Sequence, residues 1–184
     1  MTGEKNMASQ KAFYFNQNYC VGCHACEVAC MVKNKVDVGV SWRKLDTIET
    51  EINGRLVDRY LSHACMHCKE PQCMKVCPTG AYTKREDGLV IQDKSKCVGC
   101  GYCVYACPYQ TPVLNPNTKK VEKCDGCYDL IDAGEQPACV RGCPVQVLKM
   151  EDLEKLDSSG AVKDAIGFST FDSIPSIRFA KAKK

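Results

Sequence analysis

Cys97-Val98-Gly99-Cys100-Gly101-Tyr102-Cys103-Val104-Tyr105-Ala106-Cys107-Pro108 decides the fold. It reads C-x2-C-x2-C-x3-C-P, the rhythm by which cysteine thiolates hold cubane iron–sulfur clusters. Three thiolates on a tight loop take three corners of one cube. The fourth follows as a helical turn begins and points away, so it ligates a different cube. One such run requires a complementary run, and this chain has four.

Working outward, the run before it is Cys65-Met-His-Cys68-Lys-Glu-Pro-Gln-Cys73-Met-Lys-Val-Cys77-Pro78, with a loop two residues longer. The first run is Cys20-Val-Gly-Cys23-His-Ala-Cys26-Glu-Val-Ala-Cys30, with Met31 in place of proline. The last is Cys124-Asp-Gly-Cys127 and, after eleven residues, Cys139-Val-Arg-Gly-Cys143-Pro144. The neighbouring second and third runs should exchange their last cysteines. Cys107 then closes the cube of Cys65, Cys68 and Cys73, and Cys77 that of Cys97, Cys100 and Cys103. The first and last runs are left to pair with each other. Group starts at 20, 65, 97 and 124 have no fixed period, which excludes a solenoid.

All 16 cysteines fall in these groups. In a short secreted chain such a share reads as a disulfide scaffold, but cysteines two residues apart pair badly as disulfides. Cys20-Val-Gly-Cys23-His24 matches the covalent haem pattern, yet Cys26 and Cys30 continue the cluster rhythm. Cys124, Cys127, Cys139 and Cys143 alone have zinc-like spacing, but split between cubes they complete the count. With sixteen cysteines for four cubes, no vacancy is left for His24, His63 or His67 to ligate as in Rieske centres. Trp42, Tyr102, Tyr105 and Tyr109 are read as packing that keeps water off the clusters rather than as electron relays.

Net charge is +3 with thiols counted as neutral. A cube with its four thiolates carries about −2 oxidised and about −3 reduced, so the loaded chain is net negative. Lys94, Lys96, Lys119, Lys120 and Lys123 are thus read as partners of buried negative charge, not as nucleic-acid contacts. The basic end Ala180-Lys-Ala-Lys-Lys184 lacks interleaved aromatics and is read as a solvated end. Residues 1–10 are polar, without an apolar core or twin arginine, and predict a disordered lead and no secretory signal. No apolar run approaches the ~18 residues of a membrane span.

Between the groups the pattern is β-like. Lys11–Phe15 predicts a strand. Val38, Val40 and Trp42 alternate with Gly39 and Ser41. Thr47–Ile52 and Leu56–Leu61 flank Asn53-Gly54, a strong hairpin signal because both turn positions need φ > 0. Tyr82–Lys84 and Leu89–Ile91 bracket a second turn at Glu86-Asp87-Gly88, and Asn115–Thr118 predicts a third. Tyr128–Ala133 predicts a short helix closed by Gly134, Lys149–Leu156 another, and the remainder a surface-wrapping tail.

The expected fold is α+β: two ferredoxin-like dicluster units related by duplication, with a β-hairpin insertion and an extended C-terminal tail. The first motif, 12–36, pairs with the fourth, 110–148. Residues 37–61 form the insertion, 62–109 a dicluster domain, and 149–184 the C-terminal helix and tail.

The four groups in order, with Tyr60-Leu-Ser-His-Ala-Cys65-Met-His-Cys68, Lys84-Arg-Glu-Asp-Gly88 and Lys123-Cys-Asp-Gly-Cys-Tyr-Asp129, resemble the iron–sulfur (β) subunits of the dimethyl sulfoxide reductase family over roughly 12–155. Relatives in that family include the β subunits of nitrate reductase and formate dehydrogenase. The resemblance implies four [4Fe–4S] clusters: Cys20, Cys23, Cys26 and Cys143 for cluster 1; Cys30, Cys124, Cys127 and Cys139 for cluster 2; Cys65, Cys68, Cys73 and Cys107 for cluster 3; and Cys77, Cys97, Cys100 and Cys103 for cluster 4. In nitrate reductase β subunits a tryptophan replaces one ligand and leaves a three-iron cluster. Here that position is Cys100, so all four are expected to be four-iron cubes.

The resemblance further implies a non-catalytic electron relay between a molybdopterin catalytic subunit and a quinol-linked membrane anchor in anaerobic respiration. Such a protein is membrane-associated through its partners, on the extracytoplasmic face by co-export. The alternative is a cytoplasmic polyferredoxin serving a hydrogenase, carbon monoxide dehydrogenase or formate system. A cluster-bearing regulatory module is a third reading, but one cluster would suffice for it.

Overall fold

Residues 11–15 alternate so that Phe13 and Phe15 face inward, and they form strand β1 (Lys11–Phe15) as the pattern predicts. The computed structural model describes residues 9–183, so most of the polar lead and Lys184 lie outside the described residues. β1 is the middle strand of a three-stranded sheet. It pairs antiparallel with β8 (Leu148–Asp152) and parallel with β9 (Ile177–Phe179). Phe13, Phe15, Leu148, Met150, Ile177 and Phe179 are buried together on this sheet. Each such side chain stabilises by about 1.5–3 kcal/mol.

Two C-terminal expectations are corrected here. Residues 149–152 are strand, not helix: Leu148 and Met150 are buried with period two against β1, and that pairing overrides local helical preference. Helix α6 starts only at Leu153 and runs to Ser158. The tail does not merely wrap the surface, for it returns as β9 and places Phe179 at 0% exposure in the core. Val162 and Phe179 exchange both backbone hydrogen bonds at 2.8 Å, and Ala180 N–H donates to Phe15 O at 3.1 Å. The basic end is exposed yet tied back, with Lys183 Nζ 4.4 Å from the Tyr19 ring centroid.

Strands β2 (Lys44–Ile52) and β3 (Arg55–His63) form a nine-residue-long antiparallel hairpin. Asn53 and Gly54 carry the positive φ angles, 53° and 74°, that its two-residue turn demands. The alternation over residues 38–42 makes no strand. It is a loop that leaves Val38 93% exposed and buries Val40 and Trp42. Trp42 Nε1 donates to buried Glu122 at 3.1 Å, and that carboxylate pairs with Lys94 at 3.1 Å.

Smaller hairpins pair β4 (Tyr82–Lys84) with β5 (Val90–Gln92) and β6 (Val113–Leu114) with β7 (Val121–Glu122). The helices besides α6 carry or follow cysteines: α1 (Ala25–Asn34), α2 (Gln72–Lys75), α3 (Tyr102–Ala106), α4 (Tyr128–Asp132) and α5 (Ala138–Arg141). Gly142 lets α5 lie close on α1, since a Cβ there would come 2.6 Å from that of Ala29. The whole is mixed α+β, and much of its interior is sulfur.

Candidate metal centre

Each cysteine loop turns through a residue with positive φ. Gly22, Gly99 and Gly126 take φ of 67°, 73° and 77° in three Cys-x-Gly-Cys loops. At Gly99 a Cβ would come 2.1 Å from the backbone oxygen of Lys119, so only glycine fits. In the fourth loop His67 holds that position at φ 43°, fully buried.

The sixteen sulfurs gather into four quartets. Cys20, Cys23 and Cys26 at the start of α1 meet Cys143 after α5, lining a narrow pocket with Phe15, Leu45 and Ser62 among its walls. Cys77 meets Cys97, Cys100 and Cys103 around a second narrow pocket, walled by Tyr82, Gln92 and Val121. Two further groups remain, one wholly buried and one half-buried. Cys30 at the end of α1 neighbours Cys139 and Cys127, and Cys124 neighbours Cys30. Cys73 neighbours Cys65, Cys68 and Cys107.

Contacts between quartets set their order. Cys26 of the first lies near Cys139 of the second. Cys124 of the second lies near Cys65 of the third. Tyr82 bridges Cys73 of the third to Cys97 and Cys103 of the fourth. At the two ends Cys23 and Cys100 are exposed, whereas Cys30, Cys65, Cys73, Cys124, Cys127 and Cys139 are buried.

The electrostatics suit a metal cluster that brings its own positive charge. Burial, and then neighbouring sulfurs, push the Cys30 and Cys73 thiols up to about 12. Burial also takes Cys68 to about 12. A lone thiolate is thus disfavoured there, and iron restores it. At Cys77 burial also pushes up, but hydrogen bonds from Thr79 and from the Ala81, Thr79 and Gly80 amides outweigh it and hold the thiol low. Ala81 N–H reaches Cys77 Sγ at 3.3 Å and Gly126 N–H reaches Cys124 Sγ at 3.4 Å. Such N–H···S bonds tune cluster potentials. Among the described residues no three His, Cys, Asp or Glu side chains close on a point that would hold a single ion. The four cysteines with zinc-like spacing are divided, Cys143 going to the first quartet.

Lys123, read from its place before Cys124, is fully buried. Burial pulls it down, but Cys65, Cys73 and Cys124 outweigh that and hold it above its usual value. Its Nζ donates to Val90 O and, at 2.9 Å, to Cys124 O. The other four lysines do not share that burial. Exposed Lys94 reaches in to buried Glu122, Lys96 pairs with Asp93 at the surface, and Lys120 donates to Lys94 O. Lys119 is also exposed.

Three residues carried no signal at cysteine spacing. Arg43 lies just before β2 and Ser62 near the end of β3, and Ser62 is far in sequence from the Cys26 sulfur it meets. His67, weighed in the sequence only as a ligand and set aside, stands where the other loops have glycine. Its Nδ1 accepts from Val90 N–H at 2.9 Å, which leaves the proton on Nε2, 4.0 Å from Cys124 Sγ. Burial, then Lys123 and Arg43, push it well below the usual histidine range, so it is neutral. His24 and His63 pair with Glu27 and Asp46 instead. Packing describes buried Trp42, but Tyr105 is 89% exposed and shields no sulfur from water.

Residues 56–153 match a 4Fe-4S dicluster domain and residues 17–33 a 4Fe-4S binding domain. The chain is 40% identical over 158 residues to the B subunit of anaerobic dimethyl sulfoxide reductase from Escherichia coli (strain K12), covering 82% of this chain and 77% of that one. It is 39% identical over 153 residues to thiosulfate reductase electron transfer subunit PhsB of Salmonella typhi, covering 82% and 80%. To the iron-sulfur subunit of the nitrate-inducible formate dehydrogenase of E. coli it is 37% identical over 170 residues, covering 81% and 58%.

Proposed function

Because the chain belongs to the iron–sulfur subunit family of dimethyl sulfoxide reductase and its relatives, we propose that it relays electrons between a molybdopterin catalytic subunit and a quinol-linked membrane anchor. The chain is an iron–sulfur protein with [4Fe–4S] clusters as cofactors. The finer reading is that there are four, each held by one quartet. Cys20, Cys23, Cys26 and Cys143 hold the first, and Cys30, Cys124, Cys127 and Cys139 the second. Cys65, Cys68, Cys73 and Cys107 hold the third, and Cys77, Cys97, Cys100 and Cys103 the fourth.

Bound clusters supply reversible one-electron chemistry. The protein supplies the rest. It buries the second quartet and two sulfurs of the third from water, orients sulfurs through backbone N–H donors, and lets Cys23 and Cys100 reach the surface at the two ends of the row. The observation that carries the reading is this contiguous order of four sulfur quartets with exposed termini. A catalytic subunit would not need it, so the chain itself is non-catalytic. Among the described residues no helix is long and apolar enough to cross a membrane, so membrane association runs through the partner, on the extracytoplasmic face after co-export.

The test is purification of the affinity-tagged chain from its own anaerobically grown cells. A co-purifying large subunit with molybdenum and pterin, and a membrane subunit oxidising quinol, are expected. A nickel enzyme in their place would overturn the reading in favour of a polyferredoxin.

A further inference from the structure

Arg43 sits just before β2 and is only 2% exposed. Its Nη1 donates to Ser62 Oγ at 3.0 Å, and that hydroxyl lies 3.4 Å from Cys26 Sγ. Its guanidinium carbon is 4.5 Å from the centroid of the Phe13 ring. Nε and Nη2 are buried and find no hydrogen-bond partner among the described residues. The sulfurs around it are Cys26 of the first quartet and Cys30, Cys124 and Cys139 of the second.

A guanidinium is charged at any working pH. Burying one without a counter-ion is costly, and such groups persist where negative charge faces them. Among the described residues no carboxylate forms an ion pair with Arg43. The negative charge at this seam belongs to the thiolates and to what they bind.

We propose that Arg43 is a potential-setting residue, its fixed charge favouring the reduced form of the clusters held by the first and second quartets. The inference rests on the ligand assignment above. In the step concerned one electron arrives, from a neighbouring cluster or from dithionite in the assay, and no bond or proton is exchanged. The charge of a cube with its thiolates passes from about −2 to about −3, and a nearby cation stabilises the second state more than the first.

The experiment is an EPR-monitored redox titration of the anaerobically purified full chain, with iron counted on the same samples. Arg43→Gln is expected to keep its iron while two midpoints fall. At a fixed poise their reduced-to-oxidised ratio drops about tenfold, which for one electron is ~59 mV. The cluster of Cys77, Cys97, Cys100 and Cys103 stays where it was. Arg43→Lys, which keeps the charge, holds its midpoints near wild type. Loss of iron in Arg43→Gln with iron and midpoints kept in Arg43→Lys also supports the charge. Loss of iron in both, equal shifts in both, or no shift in Arg43→Gln overturns it. A wild-type chain lacking its iron overturns the ligand reading and this inference together. An iron-replete wild type beside an unmoved Arg43→Gln overturns this inference alone.

Discussion

Replacing Phe179 with alanine should open one end of the sulfur row and spare the other. Phe179 is fully buried, packs tilted against Phe168 at 4.9 Å centroid distance, and holds Val162 by two backbone hydrogen bonds. It lies on β9 beside Phe15 of β1, which walls the cavity of Cys20, Cys23, Cys26 and Cys143 together with Val147 and Leu148. A buried Phe→Ala change costs about 3–5 kcal/mol. If that falls on local opening of the sheet, the open form becomes roughly a hundredfold more populated or greater. The fourth quartet belongs to a separate apolar cluster of Tyr82, Val90 and Val121 and does not share the loss. The assay is anaerobic release of iron to a chelator. Phe179→Ala should lose about four irons in a fast early phase and the rest at the wild-type rate. Release at the wild-type rate throughout, or all iron leaving in one fast phase, would refute the reasoning.

His67→Leu strands the buried Val90 N–H and should cost about 1–3 kcal/mol, read as a lower urea midpoint of the loaded chain. Gly99→Ala puts a Cβ against Lys119 O at a left-handed φ, so it should lose the cluster of its own loop, about four irons by assay. Lys11→Met removes the 2.8 Å partner that holds Asp152 below its usual value. That depressed carboxyl stabilises the fold above its unfolded value of about 3.9 and ceases to as pH falls through the folded one. The wild-type advantage, under about 1 kcal/mol at this screened site, should therefore fade in urea titrations as pH falls below ~4.

Cysteine spacing made the site legible because the loop chemistry is local: three thiolates, a left-handed glycine, a helical turn. The hairpin at Asn53-Gly54 was legible for the same reason. What the spacing could not carry is long-range. Residues 149–152 look helical until β1 offers Phe13 and Phe15 as partners, and the tail looks superficial until Ile177 and Phe179 complete that sheet. Arg43 lies in a stretch without cysteines, and only the folded chain brings it to four sulfurs. Local spacing also made Lys94, Lys96, Lys119 and Lys120 look like Lys123, though only the last is buried.

The central claim is that four sulfur quartets each hold a cube. Iron and acid-labile sulfide, assayed against protein on the anaerobically purified chain, test it most directly. The account predicts about sixteen of each per chain. A value near eight, or a stoichiometric zinc, would contradict it.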